Sequence, residues 1–123
     1  MRNSVAAGMF YEGDANELDR QIHKCFTEKK FSPGELPIER REDKIIKGVV
    51  VPHAGYNFSG AGAAWCYKEI AEAEFPDVYV ILGTTHTDCE EAATLIDDFE
   101  TPFGTVKVDE RFAKSLIDKG AVK

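Results

Sequence analysis

The sequence predicts an α/β protein in which a mostly parallel sheet is covered by helices on both faces. Two runs of apolar, largely β-branched residues, 45–51 and 78–82, have the nearly continuous apolarity of strands that are buried on both sides. Between them, residues 59–74 are rich in alanine and predict a helix with short connections. A strand, a helix and a second strand in this order form a βαβ unit, whose strands run parallel and whose crossover is right-handed.

Two further helices are predicted from the residues that begin them. Asp14, followed three residues later by Glu17, is typical of a capping box, and apolar residues then recur at helical spacing to about Lys30. The inward stripe of this helix consists of Leu18, Ile22, Cys25 and Phe26. Asp109 is the expected cap of a last helix. The inward residues of that helix are Phe112, Leu116 and Ile117.

The remaining elements are shorter. Ser59 is the expected N-cap of the central helix, and residues 31–42, with their prolines and charges, predict a surface connection. Residues 92–96 are a candidate third strand, and 101–104 predict a turn before a short strand at 105–108.

Composition narrows the classes of function. Lys and Arg number 15 against 22 Asp and Glu, so the formal net charge of the 123-residue chain is −7, and we expect no binding to nucleic acid. No run approaches the roughly 20 apolar residues of a membrane helix, and the first ten residues lack the apolar core of a signal peptide. Three cysteines without framework spacing indicate a reducing, cytoplasmic location.

Two histidines follow the two predicted central strands. His53 lies two residues beyond the first strand and His86 four residues beyond the second. Because parallel strands have their carboxyl ends at one edge of a sheet, where open α/β sheets bind ligands, the two imidazoles can reach a common point. They suit a transition metal or a general acid–base pair. A metal needs a third ligand, for which the local candidates are Asp88, Cys89 and Glu90.

The residues alone also allow interpretations other than a metal site. Each histidine equally fits an ordinary polar residue of a loop. Gly60-Ala61-Gly62 before a helix suggests a dinucleotide site, but the third small position falls on Trp65 and the glycines lie too far beyond the strand. The N-terminus of that helix can still hold an anionic group.

Four sequence blocks are specific enough to indicate a family, and together they run over almost the whole chain. The chain resembles the Memo family in each of them. The blocks are Ala7-Gly8-Met9-Phe10-Tyr11, Pro52-His53-Ala54-Gly55-Tyr56-Asn57-Phe58-Ser59-Gly60, Ile81-Leu82-Gly83-Thr84-Thr85-His86 and Thr101-Pro102-Phe103-Gly104.

The resemblance implies a fold similar to that of the class III extradiol dioxygenases, which are non-haem iron enzymes. His53 and His86 match two metal-site residues of the family, whose third is a Cys or His much later in its chains. Animal members are linked to cell motility, phosphotyrosine-peptide binding and copper-dependent redox chemistry. Prokaryotic members are associated with radical-SAM proteins.

The chain departs from the family pattern in three respects. Thr84 and Glu12 stand where the family usually has proline. The family's chains are more than twice as long, and their second half carries a further acidic and histidine motif. We therefore expect residues 1–123 to be a single domain that is the N-terminal half of a larger Memo-like domain, with an incomplete sheet and site.

Two functions follow from these observations. The first is a metal-dependent oxidoreductase or dioxygenase-like enzyme, in which His53 and His86 are catalytic and hold iron, copper or zinc, and Tyr11, Tyr56 and Ser59 bind a small-molecule or peptide substrate. The alternative is a non-catalytic module that binds a phosphopeptide or small anion in the same cleft. No other cofactor and no membrane is expected.

Overall fold

The computed structural model describes residues 1–39, 43–88 and 91–123. It contains the helices α1 (Ala15–Thr27), α2 (Tyr56–Ala71) and α3 (Glu110–Asp118) and the strands β1 (Phe99–Thr101) and β2 (Gly104–Val106). Residues 5–76 form one compact unit, called the N-terminal unit below, and residues 1–4 with 77–123 form the C-terminal unit. Across the described ranges, no helix is both long enough and apolar enough to cross a bilayer.

The predicted start and stripe of α1 are confirmed. The Asp14 carboxylate accepts hydrogen bonds from the backbone N–H groups of Asn16 and Glu17, at 3.0 and 3.1 Å, and so satisfies two donors that have no partner within the helix. The stripe faces inward as expected, and its buried members are Leu18, Cys25 and Phe26. Cys25 and Phe26 form a core cluster with Ala64 of α2.

Helix α2 begins earlier than the sequence predicts. Its N-cap is Gly55, so the prediction of Ser59 as the cap is wrong. The first N–H of the helix, that of Tyr56, donates to the carbonyl of Phe10 at 2.8 Å, which satisfies one of the donors that have no partner within the helix. Ser59 instead lies inside the first turns, where its hydroxyl donates to the carbonyl of Ala54 at 3.1 Å.

A buried ion pair at the C-terminal end of α2 holds the connection that follows α1. The ammonium of Lys68 contacts the carboxylate of Glu72 one turn later, and it also lies 3.2 Å from Glu35. Glu72 accepts a further hydrogen bond from the N–H of Ile38 at 3.1 Å. The described part of this connection, up to residue 39, is therefore held on α2, and the rest of the prediction for 31–42, including Arg40 and Arg41, lies outside the described residues.

The C-terminal unit is built around a two-stranded antiparallel hairpin. Phe99 pairs with Val106 and Thr101 with Gly104, so the predicted turn at 101–104 is confirmed. The hairpin partner β1 was not predicted. Its other edge carries Arg2, which bonds to the backbone at residues 98 and 100 in a parallel bridge opposite Phe99.

Helix α3 has the predicted cap but not the predicted inward face. The Asp109 carboxylate accepts from the N–H of Phe112 at 2.9 Å. Ala113 is the buried residue, whereas Phe112 and Ile117 are 40% and 39% exposed, so their assignment to the interior is wrong. Gly120, at φ +66°, ends the helix in a Schellman motif.

The expected parallel sheet is not formed by the described residues. Segments 45–51 and 78–82 are not strands, and Val50 and Leu82 are 95% and 92% exposed. A strand exists only where its N–H and C=O groups pair with a neighbour, and apolarity alone supplies no such neighbour. Segment 92–96 is not a strand either, although Lys123 bonds to Ala92 and Thr94 at 2.9 and 2.7 Å in the alternation of parallel neighbours.

Candidate functional site

The block 7–11 folds onto the start of α2, a few residues after His53. A tight turn closes between the N–H of Gly8 and the carbonyl of Tyr11, at 2.8 Å, and leaves the carbonyl of Phe10 bound to the N–H of Tyr56. Gly55 fits this contact because a side-chain carbon there would lie 3.2 Å from the Phe10 oxygen. Two of the four sequence blocks thus meet in the N-terminal unit.

Tyr11 and Tyr56, both expected to bind substrate, are brought together. Their ring centroids lie 5.5 Å apart at an interplanar angle of 40°, a favourable tilted arrangement. Burial raises the pKa of Tyr56, and the neighbouring phenols of Tyr67 and Tyr11 and the thiol of Cys25 add to the rise. Like any tyrosine at physiological pH, Tyr56 carries a neutral phenol that can act as a hydrogen-bond donor.

A shallow groove of about 120 Å³ lies beside this tyrosine pair. Its lining comes from the loop 8–12, from Gln21 of α1, and from Gly55, Asn57 and Phe58 at the start of α2. The backbone N–H of Glu12 donates to Gln21 Oε1 at 2.9 Å, and Gln21 Nε2 lies 3.4 Å from Asn57 Oδ1. These bonds join the loop, α1 and α2 around the groove.

His53 and His86 are both exposed, and each lies in its own unit. His53 stands two residues before Gly55, at the same end of α2 as the groove. His86 lies in the C-terminal unit inside a short turn, in which the N–H of Thr87 donates to Thr85 Oγ1 at 3.2 Å and the Thr85 hydroxyl donates to the Thr87 carbonyl at 3.1 Å. This turn fixes the backbone on either side of the imidazole.

Two imidazoles match the donor chemistry of a transition metal, but they do not complete a site. Over the residues that the structure describes, no three His, Cys, Asp or Glu side chains lie close enough to hold a metal ion. Asp88 is described and exposed, whereas Cys89 and Glu90, the other local candidates for a third ligand, lie outside the described residues.

Sequence reasoning missed the polar residues of the groove. Gln21 and Asn57 are ordinary polar positions on two helices, and no local pattern relates them. Their contact exists only because α1 packs on α2 through Cys25, Phe26 and Ala64. The sole sequence signal was that Asn57 belongs to the same block as His53.

Comparison with known proteins shows the family of the chain. The model of the Memo-like protein family matches residues 2–123. The chain belongs to the Memo family. The predicted resemblance is therefore confirmed.

The curated relatives that this chain resembles include proteins of archaea and bacteria. A MEMO1 family protein of Methanopyrus kandleri is 42% identical over 98% of this chain and 43% of its own length. Proteins of the same description from Methanobrevibacter smithii and Thermotoga maritima are each 41% identical, over 95% and 94% of this chain and 43% of their own lengths. The chain thus spans less than half the length of these relatives. No solved structure matches it.

Proposed function

We propose that this chain contributes part of the active site of a metal-dependent oxidoreductase or dioxygenase-like enzyme. In it, His53 and His86 bind a divalent transition metal (iron, copper or zinc), and a residue outside this chain completes the ligand set. One observation supports this most directly: block 7–11 is bonded to the start of α2, next to His53, and forms a groove there. Such a groove beside an exposed imidazole is the usual setting of a ligand site.

The substrate roles rest on the same contact. Tyr11 lines the groove, Tyr56 packs against its ring, and both carry a phenol that can donate a hydrogen bond to a substrate. Ser59 lies near the start of α2 with its hydroxyl proton engaged by Ala54, so it is suited to accepting a hydrogen bond rather than to attacking a substrate.

The fold proposed for the complete domain is the mostly parallel, extradiol-dioxygenase-like sheet. Segments 45–51 and 78–82 would be its central strands. Their apolar side chains are exposed in this chain, and neighbouring strands and helices of the complete domain would bury them. A reducing, cytoplasmic location fits Cys25 and Cys66, which are free thiols within the described part of the chain.

The test is the metal content of the protein expressed from the complete reading frame, measured by mass spectrometry. We expect about one metal per chain, falling at least tenfold in His53→Ala and in His86→Ala. His23→Ala is the matched control, because His23 is an exposed histidine of α1 bonded to Thr27, and its loss should leave the metal content unchanged. Equal and substoichiometric metal in all four proteins would refute the proposal.

The alternative function is a non-catalytic module that binds a phosphopeptide or a small anion in this cleft. It is supported by the N-terminus of α2, which has no side-chain cap. Against it, the residues that line the groove include the acidic Glu12 and no Lys, Arg or His. Calorimetry with phosphotyrosine separates the two functions: binding that needs no added metal favours the module.

A further inference from the structure

Hydrogen bonds fix which end of each side-chain amide in the groove faces which neighbour. The carbonyl oxygen of Gln21 is taken by the N–H of Glu12 at 2.9 Å, so its amide nitrogen faces Asn57. This nitrogen donates to Asn57 Oδ1 at 3.4 Å, which places the donor end of the Asn57 amide, Nδ2, on the side away from Gln21. This chain of two amides therefore leaves Asn57 Nδ2 as a hydrogen-bond donor for a ligand.

The charge of the groove lining favours some ligand acceptor groups over others. Its lining includes one acidic residue, Glu12, and no Lys, Arg or His. An anionic ligand would therefore meet an acidic residue without a compensating cation, whereas a neutral carbonyl would not be repelled. The volume of about 120 Å³ admits a small polar head group, so the body of a ligand must lie outside it.

Three large apolar residues line the groove beside its polar groups. Met9, Phe10 and Phe58 are all exposed, Phe58 to 90%. Exposed apolar side chains beside a few polar groups are typical of ligand sites, in which apolar contact gives affinity and the polar groups give orientation.

We infer that this groove binds an uncharged carbonyl group, such as a carboxamide, carried by an apolar or aromatic body. The carbonyl oxygen accepts from Asn57 Nδ2, and the body packs on Phe10 and Phe58. This inference rests on the proposed function in one respect: it assigns the substrate class of the site next to His53. No covalent step is involved.

The test compares three probes that share a phenyl group: 3-phenylpropanamide, 3-phenylpropanoate and phenyl phosphate. Binding to the protein from the complete reading frame is followed by ¹H–¹⁵N NMR, with the Asn57 side-chain amide and the Gly8 and Gly55 backbone amides as reporters. We expect the amide to bind at least about fivefold more tightly than either anion, with shifts at all three reporters.

Asn57→Asp is the decisive variant. Its carboxylate still accepts from Gln21, but it has no donor for the ligand, so amide affinity should fall about tenfold. Asn3→Asp makes the same charge change at an exposed asparagine outside the groove and should have no effect. Phe58→Ala removes an exposed side chain without opening the core, and should weaken all three probes while preserving their order.

Tighter binding of either anion, no binding of the amide, or equal effects of Asn57→Asp and Asn3→Asp would overturn the inference. Metal content separates this outcome from failure of the proposed function. If Asn57→Asp loses amide binding and keeps its metal, the groove acts as inferred. If the amide preference holds while His53→Ala and His86→Ala change no metal content, the metal proposal fails alone.

Discussion

Gly60 of α2 packs directly against the sulfur of Cys25 on α1, so closely that a side-chain carbon at position 60 would overlap that sulfur. Cys25 itself is buried, and burial raises the pKa of its thiol although Lys29 opposes the rise. The absence of a side chain at Gly60 thus sets the distance between the two helices of the N-terminal unit.

Gly60→Ala should destabilise the protein although alanine is the better helix former. Overlap with Cys25 forces the helices apart, at a cost of about 1–3 kcal/mol, which exceeds the roughly 1 kcal/mol gained in helix propensity. Gly62→Ala is the matched control two residues later, where the added carbon would meet only Pro52 at 3.7 Å. It should raise stability by up to about 1 kcal/mol. Urea unfolding measures both, and equal free energies of unfolding would contradict the packing argument.

Asp14→Ala should remove the cap of α1. Its carboxylate satisfies two backbone N–H groups at 3.0 and 3.1 Å, and loss of such a cap costs about 1 kcal/mol. Asp14→Asn keeps an oxygen acceptor in the same place and should retain most of the stability. Thermal unfolding followed by circular dichroism compares the two variants. A loss of the same size in both would show that charge at the helix N-terminus, rather than the hydrogen bonds, is what matters.

The Lys68–Glu72 pair should make stability depend on pH in two separate windows. Hydrogen bonds from Lys68 and from the N–H of Ile38 lower the pKa of Glu72, so its contribution is present at neutral pH and is lost as pH falls below the usual glutamate range, about 4.3. Bonds to Glu72 and Glu35 raise the pKa of Lys68, so its contribution is lost as pH rises above the usual lysine range, about 10.4.

Glu72→Gln tests this dependence. The variant should be less stable than the wild type at pH 7 and should approach it at low pH, where wild-type Glu72 is protonated. Glu69→Gln, at a half-exposed residue that pairs with Lys44, should change stability little at any pH. Denaturant unfolding across the pH range provides the measurement. A constant difference between Glu72→Gln and the wild type from neutral to acid pH would argue against the lowered pKa.

Short sequence patterns predicted the helices. The features that these patterns did not predict depend on contacts between residues far apart in the chain. Asp14 and Asp109 cap their own helices, so a short stretch of sequence contains all that is needed. The start of α2 was misplaced because its first N–H is bound by Phe10, a residue far away in the chain. The strand predictions were wrong for the same reason: 45–51 has the composition of a strand, but within the described residues no other strand pairs with it.

The candidate site was predicted in part. The sequence singled out His53 and the two tyrosines, and the structure brings Tyr11 and Tyr56 into contact next to the segment that carries His53. It did not predict that Gln21 joins them, because a contact between two helix surfaces leaves no trace in either helix alone. The pairing of His53 with His86 stays a prediction.

The exposed segment 78–82 has a practical consequence for anyone who produces this chain by itself. Val-Tyr-Val-Ile-Leu is uncharged, prone to β-structure and free of proline, and its side chains from Tyr79 to Leu82 are exposed. Such a stretch pairs readily with an identical stretch of another molecule, which is how insoluble fibrillar deposits begin. Expression of this chain alone should therefore yield inclusion bodies, and Val80→Lys should increase the yield of soluble protein.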